Sequence, residues 1–180
     1  MKSYTYLKTK LLGELLLVAK STHLVGVYFA NHKHGPKLPG DWELNTGHPI
    51  LRQAGKEIQE YLGGERTSFS VPISSEGTEF QREICRQIAL IPFGQIITYS
   101  ELARRANAPK AIRAAGAATG RNPLGIIVPC HRVVGKNGSM TGFAGGLDRK
   151  KSLLKIESTP IIQLAKRKRI RPNGNRFAGA

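Results

Sequence analysis

The chain has 180 residues, with 28 Lys+Arg against 12 Asp+Glu and a formal net charge of +16 at pH 7. That length buries a sizeable core as one large domain or two small ones. No apolar run reaches the roughly 18–20 residues of a membrane helix, since Gly13 and Glu14 interrupt Leu11–Ala19.

Two cysteines, Cys85 and Cys130, make no disulfide framework, and the N-terminus carries no secretory pattern, so a reducing, cytoplasmic setting is expected. The charge is uneven. Residues 1–80 hold 9 Lys+Arg and 8 Asp+Glu, whereas residues 81–180 hold 19 and 4. A neutral front half and a basic back half point to a polyanion partner, with nucleic acid ahead of acidic lipid.

In chain order, Tyr6–Lys8, Glu14–Ala19 and Leu24–Phe29 read as short antiparallel strands separated by turn residues. Residues 31–49 read as an exposed loop. Its His32 and His34 lack the cysteine or carboxylate partners a metal site needs. Pro49–Leu62 carries a helical stripe at Leu51, Ala54, Ile58 and Leu62, closed by Gly63-Gly64. Thr67–Ile73 reads as a further strand. The front domain, residues 1–77, is thus an α+β unit with no catalytic constellation, and it reads as a scaffold.

A capping box at Thr78 and Gln81 opens a helix whose buried stripe is Phe80, Ile84, Ile88 and Ile91, ended by Pro92. Cys85 beside that stripe reads as a packing residue. Ser100 is placed to cap a short helix through Ala106. After a turn at Asn107-Ala108, Pro109 is placed to start a second helix to about Thr119. The pair reads as a helix-turn-helix. Its second helix carries Ala114, Ala115, Gly116 and Thr119, and almost no base-reading side chain besides Arg113. With Lys110 and Arg121 nearby, close approach to DNA with little sequence preference is expected.

Next comes Ile126-Ile127-Val128-Pro129-Cys130-His131-Arg132-Val133. A cysteine attacks as its thiolate, so a working one needs a base or a positive charge beside it, and His131 and Arg132 are the neighbours in sequence. The octet alone leaves a packed cysteine and a nucleophile both open. Lys136-Asn137-Gly138 is a turn, and Thr141–Gly146 is a backbone-exposing loop able to wall a flat pocket. Arg149–Glu157 is a closing helix with Leu153, Leu154 and Ile156 apolar. Glu157 stands at a helix end where the dipole disfavours an acid, which invites a tertiary explanation. Ser158–Ala180, with Lys166-Arg167-Lys168-Arg169, reads as a basic, mostly disordered tail.

Residues 78–157 resemble the O6-alkylguanine-DNA alkyltransferases, also called methylated-DNA–protein-cysteine methyltransferases. The resemblance is carried by Thr98-Tyr99-Ser100, Pro109–Ala114, Arg121-Asn122-Pro123, Pro129–Val133, Gly145-Gly146-Leu147, and Leu153-Leu154 before Glu157. It implies an α+β protein with a ribonuclease-H-like front domain and a mainly helical, winged-helix-like domain over 78–157. In that family's scheme Cys130 accepts the alkyl group from guanine O6, and His131 takes the thiol proton through a water. Glu157 orients the imidazole, Tyr99 assists departure of guanine, and Arg113 fills the gap left by the flipped nucleotide. Lys110, Ala114, Ala115, Gly116, Thr119 and Arg121 line the DNA-binding helix. Asn122 joins that helix to the active site, while Val133, Phe143, Ala144 and Gly145 wall the base pocket.

The resemblance further implies duplex DNA carrying O6-alkylguanine as partner, and no metal or other cofactor. It implies one turnover per monomer and a place on the nucleoid, or in the nucleus of a eukaryote. Phe143 stands where many relatives carry Tyr, and Ser152 where Trp is frequent. A non-catalytic lesion-binding protein is the competing reading, and such proteins lack the cysteine present here. A helix-turn-helix transcription factor is disfavoured by the second helix's shortage of base-reading side chains.

Overall fold

The computed structural model describes residues 1–38 and 40–158. The tail expected over Ser158–Ala180 lies outside the described residues except for Ser158 itself. Strands β1 (Lys2–Thr9), β2 (Gly13–Lys20) and β3 (His23–Phe29) form an antiparallel meander, Leu7 facing Leu15 and Leu17 facing Val27. Residues 31–49 are not all loop. Glu43–Leu44 forms a short β4 parallel to β1, giving the order β3-β2-β1-β4. The open edge of β1 has unpaired amides and carbonyls, and even two residues of pairing cover part of it.

Helix α1 (Pro49–Leu62) lies on this sheet with Leu51, Ala54, Gly55, Ile58 and Tyr61 buried. Pro49 begins it, where the missing N–H costs nothing. Gly64, at φ +80°, ends it. Glu65 N–H donates back to Glu60 O at 2.8 Å, in a backbone conformation that costs glycine least.

The strand expected over Thr67–Ile73 is absent. Glu57, buried on α1, accepts the N–H groups of Ser70 at 2.8 Å and Val71 at 3.2 Å, so this backbone is satisfied by a carboxylate rather than a ladder. Burial raises the Glu57 carboxyl, and its hydrogen bonds from Ser70, Gln53 and the backbone more than offset that. Ile73 alone makes a bridge, to Leu24 of β3.

In the second domain the capping box opens α2 (Glu79–Ala89) as expected, with Thr78 and Gln81 bonded reciprocally. Ile97–Thr98 forms β5, followed by α3 (Tyr99–Arg105) and α4 (Ile112–Gly120). Thr98 caps α3, accepting from Glu101 N–H at 3.2 Å. Ser100, the expected cap, instead lies within the helix with its hydroxyl 2.9 Å from that of Thr98. Helix α4 begins three residues after Pro109. Asn107, at φ +54°, turns the chain, and Pro109-Lys110 are spent on that turn, closed by Ala111 N–H to Ala108 O.

Helices α2 and α3 both pack on α4. The chain then makes β6 (Val133–Val134), parallel to β5 through Ile97–Val133 and Thr98–Val134. It finishes in α5 (Leu147–Ser158).

The two domains share a buried core, with Leu17, Val27, Ile58 and Tyr61 continuous with Ile84, Ile88, Leu102 and Val133. The free edge of β3 is used for this junction. Val27 N–H donates to Pro123 O at 2.7 Å, and Gly125 N–H donates to Val27 O at 3.1 Å. Among the described residues no helix is long and apolar enough to cross a membrane.

Candidate active site

Three short connections put the site at the seam of the two domains. The β5–β6 pairing sets Tyr99, the residue after β5, beside the turn Cys130–Arg132 that precedes β6. Asn122, at 2% exposure, braces the approach, with Nδ2 donating to Val128 O at 2.8 Å and Oδ1 accepting Leu124 N–H at 3.0 Å. Cys85 also touches it, Sγ 3.9 Å from Asn122 Oδ1, buried as a packing residue should be. The apolar run Leu124–Val128 is a series of tight turns. Within it Ile126 sits at φ +72°, a strained backbone for a β-branched residue, held by full burial.

Cys130 opens the 3-10 turn with 7% of its surface exposed. Burial raises its pKa, against which a hydrogen bond from Asn122 and the charge of Lys150 act. The resting group is therefore a thiol, and it would become a nucleophile only once its proton is taken.

His131 turns into the core, fully buried, with Nε2 2.8 Å from Glu157 Oε1. An ionised carboxylate only accepts, so Nε2 carries the hydrogen and Nδ1 is left as an acceptor. Nδ1 has no hydrogen-bond partner among the described residues. Burial lowers the His131 pKa more than Glu157 raises it, so the ring is neutral at neutral pH and able to accept a proton.

Glu157 is the hub of the site. Its Oε1 receives His131, Arg132 Nε at 3.0 Å, Arg132 Nη2 at 2.9 Å and Tyr61 Oη–H at 2.6 Å, while Oε2 receives Gly94 N–H at 3.0 Å. Burial alone would raise this carboxyl. The His131 hydrogen bond, with the charges of His131 and Arg132, brings it down to about 2. With His131 neutral at neutral pH, Arg132 is the standing cation that keeps Glu157 ionised. The acid misplaced by the helix dipole is thus explained by a tertiary partner set. Arg132, a candidate neighbour charge for the thiol, is instead committed to Glu157 and to Ile91 O at 2.5 Å.

Tyr99 lies half-buried above this turn, its hydroxyl 3.2 Å from both Thr141 O and Gly142 O. The loop 141–146 is held from below by two cations that the sequence reading missed. Lys150 Nζ, fully buried, donates to Val133 O at 2.6 Å and Thr141 O at 3.1 Å. Arg149 donates to Gly145 O at 2.9 Å and reaches the first domain at Leu12 O, 2.8 Å. Their only advance signal was two basic residues at the start of α5.

Phe143 packs on Phe29 of β3 with centroids 5.4 Å apart, and Ala144 and Gly145 follow it along the loop. A Cβ at Gly145 would stand 2.6 Å from the Phe29 ring and 3.0 Å from that of Phe143. Gly145→Ala is therefore expected to shift the loop and cost 1–3 kcal/mol, the usual penalty for overpacking, as read by urea denaturation. Unchanged stability would show the ring free to move aside. Val133 is fully buried, and its carbonyl accepts from Lys150 Nζ.

On α4, Arg113, Ala114 and Ala117 are exposed, Gly116 is half-buried against the Tyr99 ring, and Lys110 and Arg121 flank the helix in the open. Ala115 and Thr119 correct the expectation of a DNA-lining role. Both are buried, with the Thr119 hydroxyl donating to Ala115 O at 2.8 Å. The helical period puts positions four apart on one side, and this side is the core.

These features define an α+β protein in which a helix-turn-helix domain carries a cysteine, histidine and glutamate constellation braced by a sheet domain. Residues 79–159 match the DNA binding domain of 6-O-methylguanine DNA methyltransferase, and residues 2–75 match that protein's ribonuclease-like domain. A methylated-DNA–protein-cysteine methyltransferase of Methanosarcina acetivorans is 43% identical over 82% of this chain and 94% of its own length. One from Haemophilus influenzae is 38% identical over 88% of each chain. The crystal structure of the Mycobacterium tuberculosis OGT in complex with DNA superposes with a TM-score of 0.80 at 34% identity, covering 86% of this chain and 92% of that one. The chain belongs to the 6-O-methylguanine DNA methyltransferase family.

Proposed function

We propose that this protein repairs alkylated DNA by direct reversal, moving the alkyl group from guanine O6 to Cys130 and being consumed in the step. The observation that carries the reading is the buried His131–Glu157 pair, which leaves Nδ1 a free acceptor on the chain neighbour of a protonated thiol. A water passes the Cys130 proton to Nδ1. The thiolate attacks the alkyl carbon in line, the C–O6 bond breaks with its electron pair staying on the guanine, and the guanine anion takes a proton at N1 from solvent. Glu157 stabilises the imidazolium that forms, and the product is a thioether on Cys130 with an intact guanine in DNA. Tyr99, which spans Thr141 O and Gly142 O, exchanges one of these contacts for the incoming base and steadies it as it departs.

An O6-alkyl carbon inside the stack is out of reach of a thiol, so the base must leave the duplex, at a cost of a few kcal/mol. The exposed small-residue face of α4 lets the backbone approach the minor groove, with Lys110 and Arg121 on phosphates and Arg113 filling the gap. On this reading the protein acts as a monomer in the compartment that holds the genome. Arg113→Ala is expected to slow repair of duplex DNA at least about tenfold while changing reaction with a free O6-alkylguanine less than twofold. Equal losses on both substrates would count against the gap-filling role.

The function itself is tested by incubating limiting protein with duplex DNA carrying one O6-methylguanine and digesting the DNA to nucleosides. One guanine restored per protein, and no more, supports the reading. Tight binding with the lesion intact would instead show a lesion-binding protein.

A further inference from the structure

We propose that Tyr61, contributed by the N-terminal domain, is a positioning residue for proton transfer in the active site of the other domain. The proposal rests on the reading of Cys130, His131 and Glu157 as the transfer machinery and adds a fourth member from helix α1. The Tyr61 hydroxyl donates to Glu157 Oε1 at 2.6 Å and lies 3.3 Å from His131 Nε2. It therefore sits at the one atom pair through which the carboxylate holds the imidazole, itself 2.8 Å apart.

A purely packing role accounts for the ring and not for the hydroxyl. The ring is fully buried, 5.2 Å from Phe69 and 6.1 Å from Phe93 between centroids, and phenylalanine would fill that space. Burying a hydroxyl is unfavourable unless it is used, and this one is spent on an oxygen that already has donors from His131 and Arg132. Burial and the Glu157 charge push the Tyr61 pKa well above its usual value, so the group stays a phenol and a donor over the working range of pH.

The consequence for the imidazole has a definite sign. Each donor on Oε1 disperses the charge of Glu157 and weakens its pull on an imidazolium. Removing the Tyr61 hydroxyl strengthens that pull, raises the His131 pKa and shrinks the fraction of neutral base near neutral pH. Tyr61 lies in the last turn of helix α1, so it is the N-terminal domain that supplies this hydroxyl. The front domain is then part of the proton relay and not a scaffold alone.

The test uses Tyr61→Phe in the full chain, which keeps the ring contacts. Single-turnover transfer from O6-methylguanine DNA is followed from about pH 5.5 to about pH 9, beside the unmodified protein. The expected result is an acid limb moved to higher pH by about half a unit to one unit. Rates should fall roughly three- to tenfold below neutral pH and converge with the unmodified protein at alkaline pH. In a Cys130→Ser background, where no transfer occurs, nuclear magnetic resonance of the His131 ring should show the same upward shift. If Tyr61→Phe fails to fold, a fluorotyrosine placed at position 61 keeps the shape, donates more strongly, and should move the limb to lower pH. A profile superimposable on the unmodified protein would overturn the proposal. So would a uniform loss at every pH with an unshifted His131 titration, which marks packing only. Failure of the unmodified protein to transfer at all would sink the functional reading instead.

Discussion

Replacing Cys130 with serine is expected to abolish alkyl transfer, by at least roughly 10⁴-fold, with the fold and lesion binding intact. The side chain is nearly fully buried and serine is close to isosteric, so the turn Cys130–Arg132 and its Val128 contact keep their geometry. The nucleophile changes from a sulfur with an accessible thiolate to an oxygen whose proton the neutral His131 removes far less readily. Burial already raises the Cys130 pKa, so even the thiol gives up its proton less readily than a free one. Lesion binding is measured by electrophoretic mobility shift and transfer by loss of O6-methylguanine. Retained transfer at a tenth of the normal rate or more would place the acceptor elsewhere.

The second large effect is on stability. Arg132→Ala removes the standing cation from a buried carboxylate, leaving Glu157 with Tyr61, Gly94 and a neutral His131. Removing one partner of a buried ion pair costs about 3–5 kcal/mol, because the other charge stays uncompensated. The loss should appear as a lower urea midpoint at neutral pH.

Its pH dependence has a fixed sign. Glu157 is held at about 2 in the folded protein against 4.5 for the free group. Its contribution is therefore full above about pH 4.5 and is lost as pH falls toward about 2. The gap between Arg132→Ala and the unmodified protein should narrow over that interval, since a protonated Glu157 no longer needs the cation. A gap independent of pH would mean that Arg132 acts through its bond to Ile91 O and its packing on Phe93.

Local chemistry explains what could be read in advance. Pro49 at the start of α1 and glycines after Leu62 bound that helix to the residue, because both signals act within a turn. The Thr78–Gln81 capping box did the same for the start of α2. The expectation failed where a tertiary partner supplied what secondary structure usually supplies. The segment 67–73 has strand-forming residues, yet Glu57 takes its amides. Pro109 is a good first residue for a helix, yet the turn from α3 needed it.

At the site, Cys130, His131 and Glu157 stood out by residue type and position, and Tyr99 entered only through the family resemblance. The direction of each side chain was not. Sequence adjacency set Arg132 beside the thiol, and the 3-10 turn carries it to Glu157 instead. Ala115 and Thr119 looked like groove-lining residues until the helix phase turned them inward. Tyr61 was hidden most completely, since its signature is one tyrosine at the end of an ordinary amphipathic stripe, 96 positions from Glu157.

The central claim is that Cys130 becomes covalently alkylated through this buried relay. The most direct measurement is mass spectrometry of the intact protein, followed by peptide mapping, after reaction with DNA carrying one O6-methylguanine. One methyl group per protein, located on Cys130 with Cys85 unmodified, is the predicted result. An unchanged mass on a protein that holds the lesion tightly, or a methyl group on Cys85, would contradict it.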